Sequence, residues 1–312
     1  ATCTSQQGSS DAPGGSTGEP VKDDEDLTTG RLWVAPPDLL GGVPRKKTGF
    51  LYDPLMERHA PLMEEDVPVL EGGDLGVAES NWMSALPSPG TEPERPQRLI
   101  ALQAALEGAG LLADGTTVKR VSSRRATDEE LLLCHSSELL KTVDWISSVG
   151  ASPGGVPETL RVGAQAASLY FNETSSDCAR LAAGSVVELA MQVAEGSLAN
   201  GFAAVRPPGH HCERCSPLGF CFFNNVATAA ASLSAKGERV LVVDWDVHHG
   251  NGTQHMFYED ERVCFVSLHR HDSGLFYPGG QCGDMDRIGG FVNHHARGTN
   301  INIPFGGSEV SS

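Results

Sequence analysis

The hydrophobic pattern of this chain changes at Thr48. Residues 1–47 mix Ser, Gly, Pro and acids with little apolar periodicity, the composition of a disordered or loosely packed leader. Arg45-Lys46-Lys47 closes that leader as a short solvated basic cluster. From Thr48 onward apolar residues recur at structural spacings. Thr48 to Met56 predicts a first strand followed by a loop, and Glu94 to Leu99 opens a helix with Pro96 near its first turn. Leu99, Leu102, Leu106 and Leu111 then suit one helical face. Two N-terminal caps come next, Thr127 with Glu130 three residues on, and Ser136 or Ser137 ahead of Leu139. An Ala- and Leu-rich helix is predicted over 175–195, a strand over 201–205 and a helix over 225–236. After a strand at 239–247 come a helix from 253 to 258 and strands at 263–269 and 300–303. Helices alternating with apolar strands predict an α/β layered fold with a parallel sheet. The domain is drawn over 48–307, with 308–312 as a tail.

Within that pattern the run from Glu238 to Gly252, ERVLVVDWDVHHGNG, organises the rest. Read as a strand, it puts Asp244, Asp246 and His248 on one face and Val243, Trp245 and Val247 on the other. Carboxylates in so apolar a strand are costly to bury unless a cation or a donor meets them. Polar text also follows two other strands, at 206–211 and 267–271. In open α/β sheets ligands sit beyond the carboxyl ends of the strands, so the three ends converge on a site.

Composition narrows the class. With 23 Lys and Arg against 40 Asp and Glu the chain carries −17, which argues against a direct nucleic-acid binder. No apolar run is long enough to cross a bilayer, so no membrane contact is expected. Eight cysteines are scattered through strand-like and helix-like text, and without a visible signal peptide they read as reduced thiols of an intracellular protein.

Asp246 and His248 are the candidate metal ligands, since carboxylate with imidazole suits Zn²⁺ or a harder divalent ion such as Mn²⁺ or Fe²⁺. A lone Asp-x-His is more often a satisfied loop pair. Here the end of a buried strand, Asp244 before it and His249 to Gly252 after it reverse that preference. Arg206 to His211 sets two adjacent histidines on a Pro/Gly turn, where one can act as a base while its neighbour stays cationic. Gly219 to Asn225 and Gly274 to Gly279 bring aromatics beside glycines, either as core packing or as two walls for a long aliphatic substrate arm. Cys212-Glu213-Arg214-Cys215 has no second pair at zinc-finger spacing. His211-Cys212-Glu213 lacks the downstream cysteine pair of a zinc deaminase.

RPPGHH, GFCFFNN, VVDWDVHHGNGTQ, SLHRHDSGLFYPG, EPERPQRL and TGFLYDPLM together resemble the zinc-dependent histone deacetylases of the class II type over about Thr48 to Gly307. The resemblance implies an arginase-like three-layer α/β fold with a central, mostly parallel sheet. It implies hydrolysis of the acetyl amide of lysine side chains in histones or other proteins. Asp246 and His248 would bind zinc, His211 would act as general base and then acid, and His210 would assist electrostatically. Asp244 and Asn251 would orient the two histidines. Phe220 and Tyr277 would flank the substrate tunnel, and the Gly219 carbonyl would accept from the scissile amide N–H. A structural potassium site would draw on Asp244, Asp246, His248, Ser267 and Leu268.

The chain departs from that family after residues 300–303. The family's third zinc ligand, an aspartate, and its carbonyl-polarising tyrosine lie further on, so the resemblance implies a domain without its C-terminal part, and a chain that by itself is inactive or binds zinc poorly. Asp284 and Asp286 are weak substitutes in a Gly-rich loop. Glu92 stands where the family usually has His, and Cys212 where it has a small apolar residue. Two rival readings remain: an arginase- or polyamine-type hydrolase on the same fold, and a non-catalytic isoform acting as a corepressor-type module. Partners would be an acetylated lysine-containing protein and a corepressor complex, in the nucleus or cytoplasm.

Overall fold

The computed structural model describes residues 46–61, 93–113, 117–150, 157–290 and 294–306, and these belong to one compact unit that begins at Arg45. The leader up to Arg45, Glu92 and the tail from Gly307 lie outside the described residues.

Among the described residues six strands make two parallel sheets. In the first, β1 (Thr48–Tyr52) lies between β2 (Val118–Arg120) and β3 (Asn200–Ala204); in the second, β5 (Val263–Arg270) lies between β4 (Val240–Asp244) and β6 (Asn300–Phe305). Every ladder is parallel, as the alternation of helices and strands predicts. The single central sheet divides here, because β3 and β4 present free edges and no described segment pairs with both.

The helices are α1 (Gln97–Gly108), α2 (Asp128–Leu132), α3 (Ser137–Gly150), α4 (Glu158–Ala166), α5 (Ser175–Ala194), α6 (Asn225–Ala235) and α7 (Asn251–Phe257). Pro96 does sit at the entrance of α1, and Leu99, Leu102 and Leu106 turn toward Phe50, Leu51 and α5. Leu111 lies past the helix end and is exposed. Ser136, rather than Ser137, caps α3 through Leu139 N–H at 3.2 Å.

The cap of α2 is reciprocal: Glu130 N–H donates to Thr127 Oγ1 at 3.2 Å, and Thr127 N–H donates to Glu130 Oε2 at 2.9 Å. Thr127→Ala is expected to cost about 1 kcal/mol, read as a lower midpoint in urea unfolding with an unchanged slope.

The second sheet has two unlike faces. Val242, Val263 and Phe265 are buried beneath α6 and α7 with Ala227, Ala230 and Phe257. On the opposite face Leu241, Val243, Leu268, Ile301 and Ile303 are all exposed, Leu241 to 63%. The register lines these up in rows, Val243 beside Val266 and Ile301, and Leu268 beside Ile303. Parallel sheets ordinarily bury both faces.

The strand predicted over 239–247 stops at Asp244. Its continuation is bent by its own carboxylates: Asp244 Oδ1 accepts from Asp246 N–H at 3.1 Å, and Asp246 Oδ1 accepts from His248 N–H at 2.8 Å. Such side-chain bonds two residues on compete with the ladder and turn the chain out of it. Asp246 and His248 therefore stand in a loop beyond the sheet, and period-two alternation does not place them.

Candidate active site

Three carboxyl-end segments meet beyond the second sheet. The first is the loop 205–211 after β3, the second the bent loop 245–250 after β4, and the third the segment 271–279 after β5. They line one end of a cavity of about 1350 Å³ that also runs along the free edges of β3 and β4.

His210 and His211 are pinned from behind. The carbonyl of His210 accepts the Gly252 N–H at 3.0 Å at the start of α7. A Cβ on Gly252 would come within 2.2 Å of the Cys212 carbonyl oxygen, so only glycine lets the two segments approach this closely. The imidazoles then diverge. His210 Nδ1 meets Asp244 Oδ2 at 2.9 Å, while His211 Nδ1 meets Asn251 Oδ1 at 2.7 Å. Their ring centroids are 4.0 Å apart.

The two environments separate the histidines electrostatically. Burial opposes charge on His210, but the hydrogen bond and charge of Asp244 prevail and raise its pKa. Burial and then the charge of His210 drive His211 down to about 3. One ring favours the cation and the other the neutral base, as two adjacent histidines would need for divided roles.

Asp246 and His248 come together in front of them. Asp246 Oδ1 and His248 Nδ1 are 3.1 Å apart, close to the roughly 3.3 Å of two ligand atoms on a tetrahedral zinc with bonds of about 2.0–2.1 Å. Burial alone would raise the Asp246 carboxyl, but its bonds from His248 and the nearby imidazoles hold it well below the usual carboxylate range. The chemistry and spacing of this pair suit zinc, while its number falls one short of the three protein ligands of a catalytic site. Among the described residues no group of three or more His, Cys, Asp or Glu side chains is arranged to hold a metal ion. Asp284 does not join the pair, because His271 Nε2 holds its Oδ1 at 2.6 Å, and the Asp286 side chain is 78% exposed beside Arg287.

The cavity walls come from two strained turns. Gly219 and Phe220 both have positive φ, +54° and +65°, and their N–H groups donate to the carbonyls of Ala167 and Ser168. A Cβ on Gly219 would meet His211 Cδ2 at 2.6 Å and the Tyr277 hydroxyl at 2.7 Å, which requires glycine there. The Gly219 carbonyl accepts from the Cys221 thiol at 3.1 Å. Of the aromatics in GFCFFNN only Phe220 lines the cavity; Phe222 and Phe223 are fully buried core. Cys212 is accommodated because its thiol donates to the Phe222 carbonyl at 3.0 Å.

Tyr277 stands edge-on to His211 and His248, with centroids 5.0 and 5.7 Å away. Its hydroxyl is buried with no hydrogen-bond partner among the described residues, and burial pushes its pKa up to about 12, so it remains a donor. Phe276, which the sequence does not single out, stacks on His248 at 5.1 Å and carries Arg270 on its ring at 4.4 Å. Ser267, which β-pairing sets beside Asp244, bonds His269 Nδ1 at 2.9 Å, and Leu268 faces the opposite side of its strand on the exposed face.

Behind the Pro/Gly turn lies a buried ionic knot that the sequence pattern does not reveal. Arg206 donates Nε and Nη2 to the two oxygens of Glu94 at 2.8 Å each. It also donates to the Met56 carbonyl at 2.9 Å, to the His59 carbonyl and to the Tyr170 hydroxyl at 2.6 Å. Both charged side chains are 3% exposed. A charge in each of two motifs separated by more than a hundred residues was the available signal, and it carries no indication of pairing.

Residues 92–309 match the family model described as the histone deacetylase domain. Histone deacetylase clr3 of Schizosaccharomyces pombe is 38% identical over 268 residues, covering 83% of this chain and 34% of that protein. Histone deacetylase 5 of Arabidopsis thaliana is 40% identical over 271 residues, covering 85% of this chain and 36% of that protein. The chain thus spans about a third of the length of these curated relatives. A crystal structure of the HDA15 HD domain superposes with a TM-score of 0.66 at 34% identity, covering 83% of this chain and 63% of that one.

Proposed function

Because this chain belongs to the histone deacetylase family, we propose that it forms the core of a zinc-dependent hydrolase of acetylated lysine side chains. The observation that carries the reading is the arrangement of His211. Its ring faces the Asp246–His248 pair and Tyr277 across the cavity end, and its Nδ1 is occupied by Asn251. That leaves Nε2 for a proton transfer.

In this reading Asp246 and His248 are the chain's donors to the zinc, which when bound polarises a carbonyl and lowers the pKa of water. His211 removes a proton from water through Nε2 and later returns one to the departing lysine amine. His210, paired with Asp244, holds positive charge beside the developing negative charge. Phe220 and Tyr277 line the channel for the four-carbon lysine arm, and the Gly219 carbonyl accepts from the scissile amide N–H. Asp244, Asp246, His248, Ser267 and Leu268 are proposed to hold a structural potassium ion. The substrate is an acetylated protein, histone or other, met in the nucleus or cytoplasm, with a corepressor assembly as a further partner. Among the described residues no helix is long and apolar enough to cross a membrane.

The walls favour this reading over an arginase-type one, because an apolar channel suits an alkyl arm and leaves a guanidinium unpaired. The test offers an acetyl-lysine peptide, an acetylated polyamine and arginine to the zinc-loaded protein. Turnover of the peptide above the other two is expected, with Asp246→Ala reducing bound zinc measured by mass spectrometry. Preference for the polyamine or for arginine overturns the proposal.

A further inference from the structure

A histidine base needs a free lone pair on the nitrogen that faces the substrate, and imidazole has two neutral tautomers. For His211 the choice rests with the partner of Nδ1, which is the side-chain amide of Asn251 at 2.7 Å. An amide is ambidextrous. Turned by half a rotation, it would present Nδ2–H to a lone pair on Nδ1, and the His211 proton would move to Nε2, where the ring can no longer act as a base. Within the pair only one weak bond prefers this orientation. The bond from Asn251 Nδ2 to the His211 carbonyl is 3.4 Å long and holds weakly.

Glu213 supplies the preference. Its Oε1 lies 2.5 Å from Asn251 Nδ2, and an ionised carboxylate only accepts hydrogen bonds. It attracts the amide NH₂ and repels the amide oxygen, so Oδ1 is turned to His211. His211 must then donate through Nδ1–H and keep its lone pair on Nε2. The same Oε1 accepts from His255 Nδ1 at 2.9 Å, and the His255 side chain is 48% exposed. Burial pushes the Glu213 carboxyl up, but the hydrogen bond and charge of His255 outweigh it and hold the carboxyl below its usual range. An unbroken line, His255 to Glu213 to Asn251 to His211, thus runs from the surface to the reactive ring.

We infer that Glu213 is a positioning residue, which fixes the tautomer of His211 by orienting the amide of Asn251. The inference rests on the reading of His211 as the base. It returns a residue that the sequence offered only inside two discarded motifs. His211 and Glu213 lie two residues apart on one loop and Asn251 opens α7, and the carboxylate is the one member of the line whose hydrogen-bonding direction is fixed by its chemistry.

The test compares the protein with its Glu213→Ala and Glu213→Gln variants, histidines ¹⁵N-labelled, by long-range ¹H–¹⁵N spectra of the imidazoles. The unsubstituted protein is expected to show His211 protonated on Nδ1 with an unprotonated Nε2. Glu213→Ala is expected to mix in the other tautomer and to lower kcat on an acetyl-lysine peptide by about 10–100-fold, with KM unchanged. Glu213→Gln, which keeps an acceptor but can itself rotate, is expected between the two, and it preserves the test where the alanine variant folds poorly. An unaltered His211 tautomer in both variants overturns the inference, and so does a raised KM with unchanged kcat. The spectra decide this even without turnover, a result that would count against the hydrolase reading alone.

Discussion

Replacing His211 by alanine is expected to lower kcat/KM for an acetyl-lysine peptide by about two to four orders of magnitude, the usual worth of a positioned general acid–base. The size follows from what no neighbour can replace. His210 is only 4.0 Å away, but its Nδ1 is tied to Asp244, whose hydrogen bond and charge raise its pKa against burial and favour the cation over the free base. Asp246 is held ionised far below the usual carboxylate range and is correspondingly weak as a base. The Tyr277 hydroxyl, with its pKa near 12, is a donor. The loss should fall on kcat, because the role assigned to His211 is proton transfer rather than holding the alkyl arm. Steady-state kinetics on the protein as its own cell makes it would check this. Retention of a tenth or more of the wild-type rate would remove His211 from the role.

The second large effect concerns stability. Glu94→Ala is expected to destabilise the fold by about 3–5 kcal/mol, because it leaves the Arg206 guanidinium buried without its counter-charge. Arg206 is 2% exposed and spends two of its five N–H groups on Glu94. The carbonyls of Met56 and His59 satisfy hydrogen bonding but supply no net charge. Replacing both partners, Glu94→Leu with Arg206→Met, should cost far less than either single change, since no buried charge then remains. Chemical unfolding of the three variants forms a double-mutant cycle. A single-variant cost below about 1 kcal/mol, the range of exposed pairs, would show that the knot is not closed to water. Arg206 also leads directly into the turn that carries His210 and His211, so slackening it should reduce activity before it unfolds the protein.

Much of the fold is legible from local chemistry. Thr127 with Glu130 announces the start of α2 because the cap is made by neighbours in sequence, and the apolar runs of β5 and β6 are bounded by recognisable turns. What escapes is whatever depends on distant partners. The three residues of β2 are too few to show a period. The strand at 239–247 is overread because alternation continues through Trp245 and Val247 while the carboxylates of Asp244 and Asp246 fold the backbone out of the ladder. At the site, residue types and motif order select Asp246, His248, His210 and His211. They do not select Glu213 or the Phe276 ring over His248, whose contributions lie in direction and distance.

The bare side of the second sheet bears on how the stability of this protein should be understood. Leu241, Val243, Leu268, Ile301 and Ile303 present an apolar surface that water covers poorly. Any polypeptide that lies on it and binds the folded form alone adds a stabilisation that grows with the logarithm of its concentration, about 2.7 kcal/mol at a hundredfold excess over Kd. A binder of that face would therefore show itself as a melting temperature that rises with the binder's concentration.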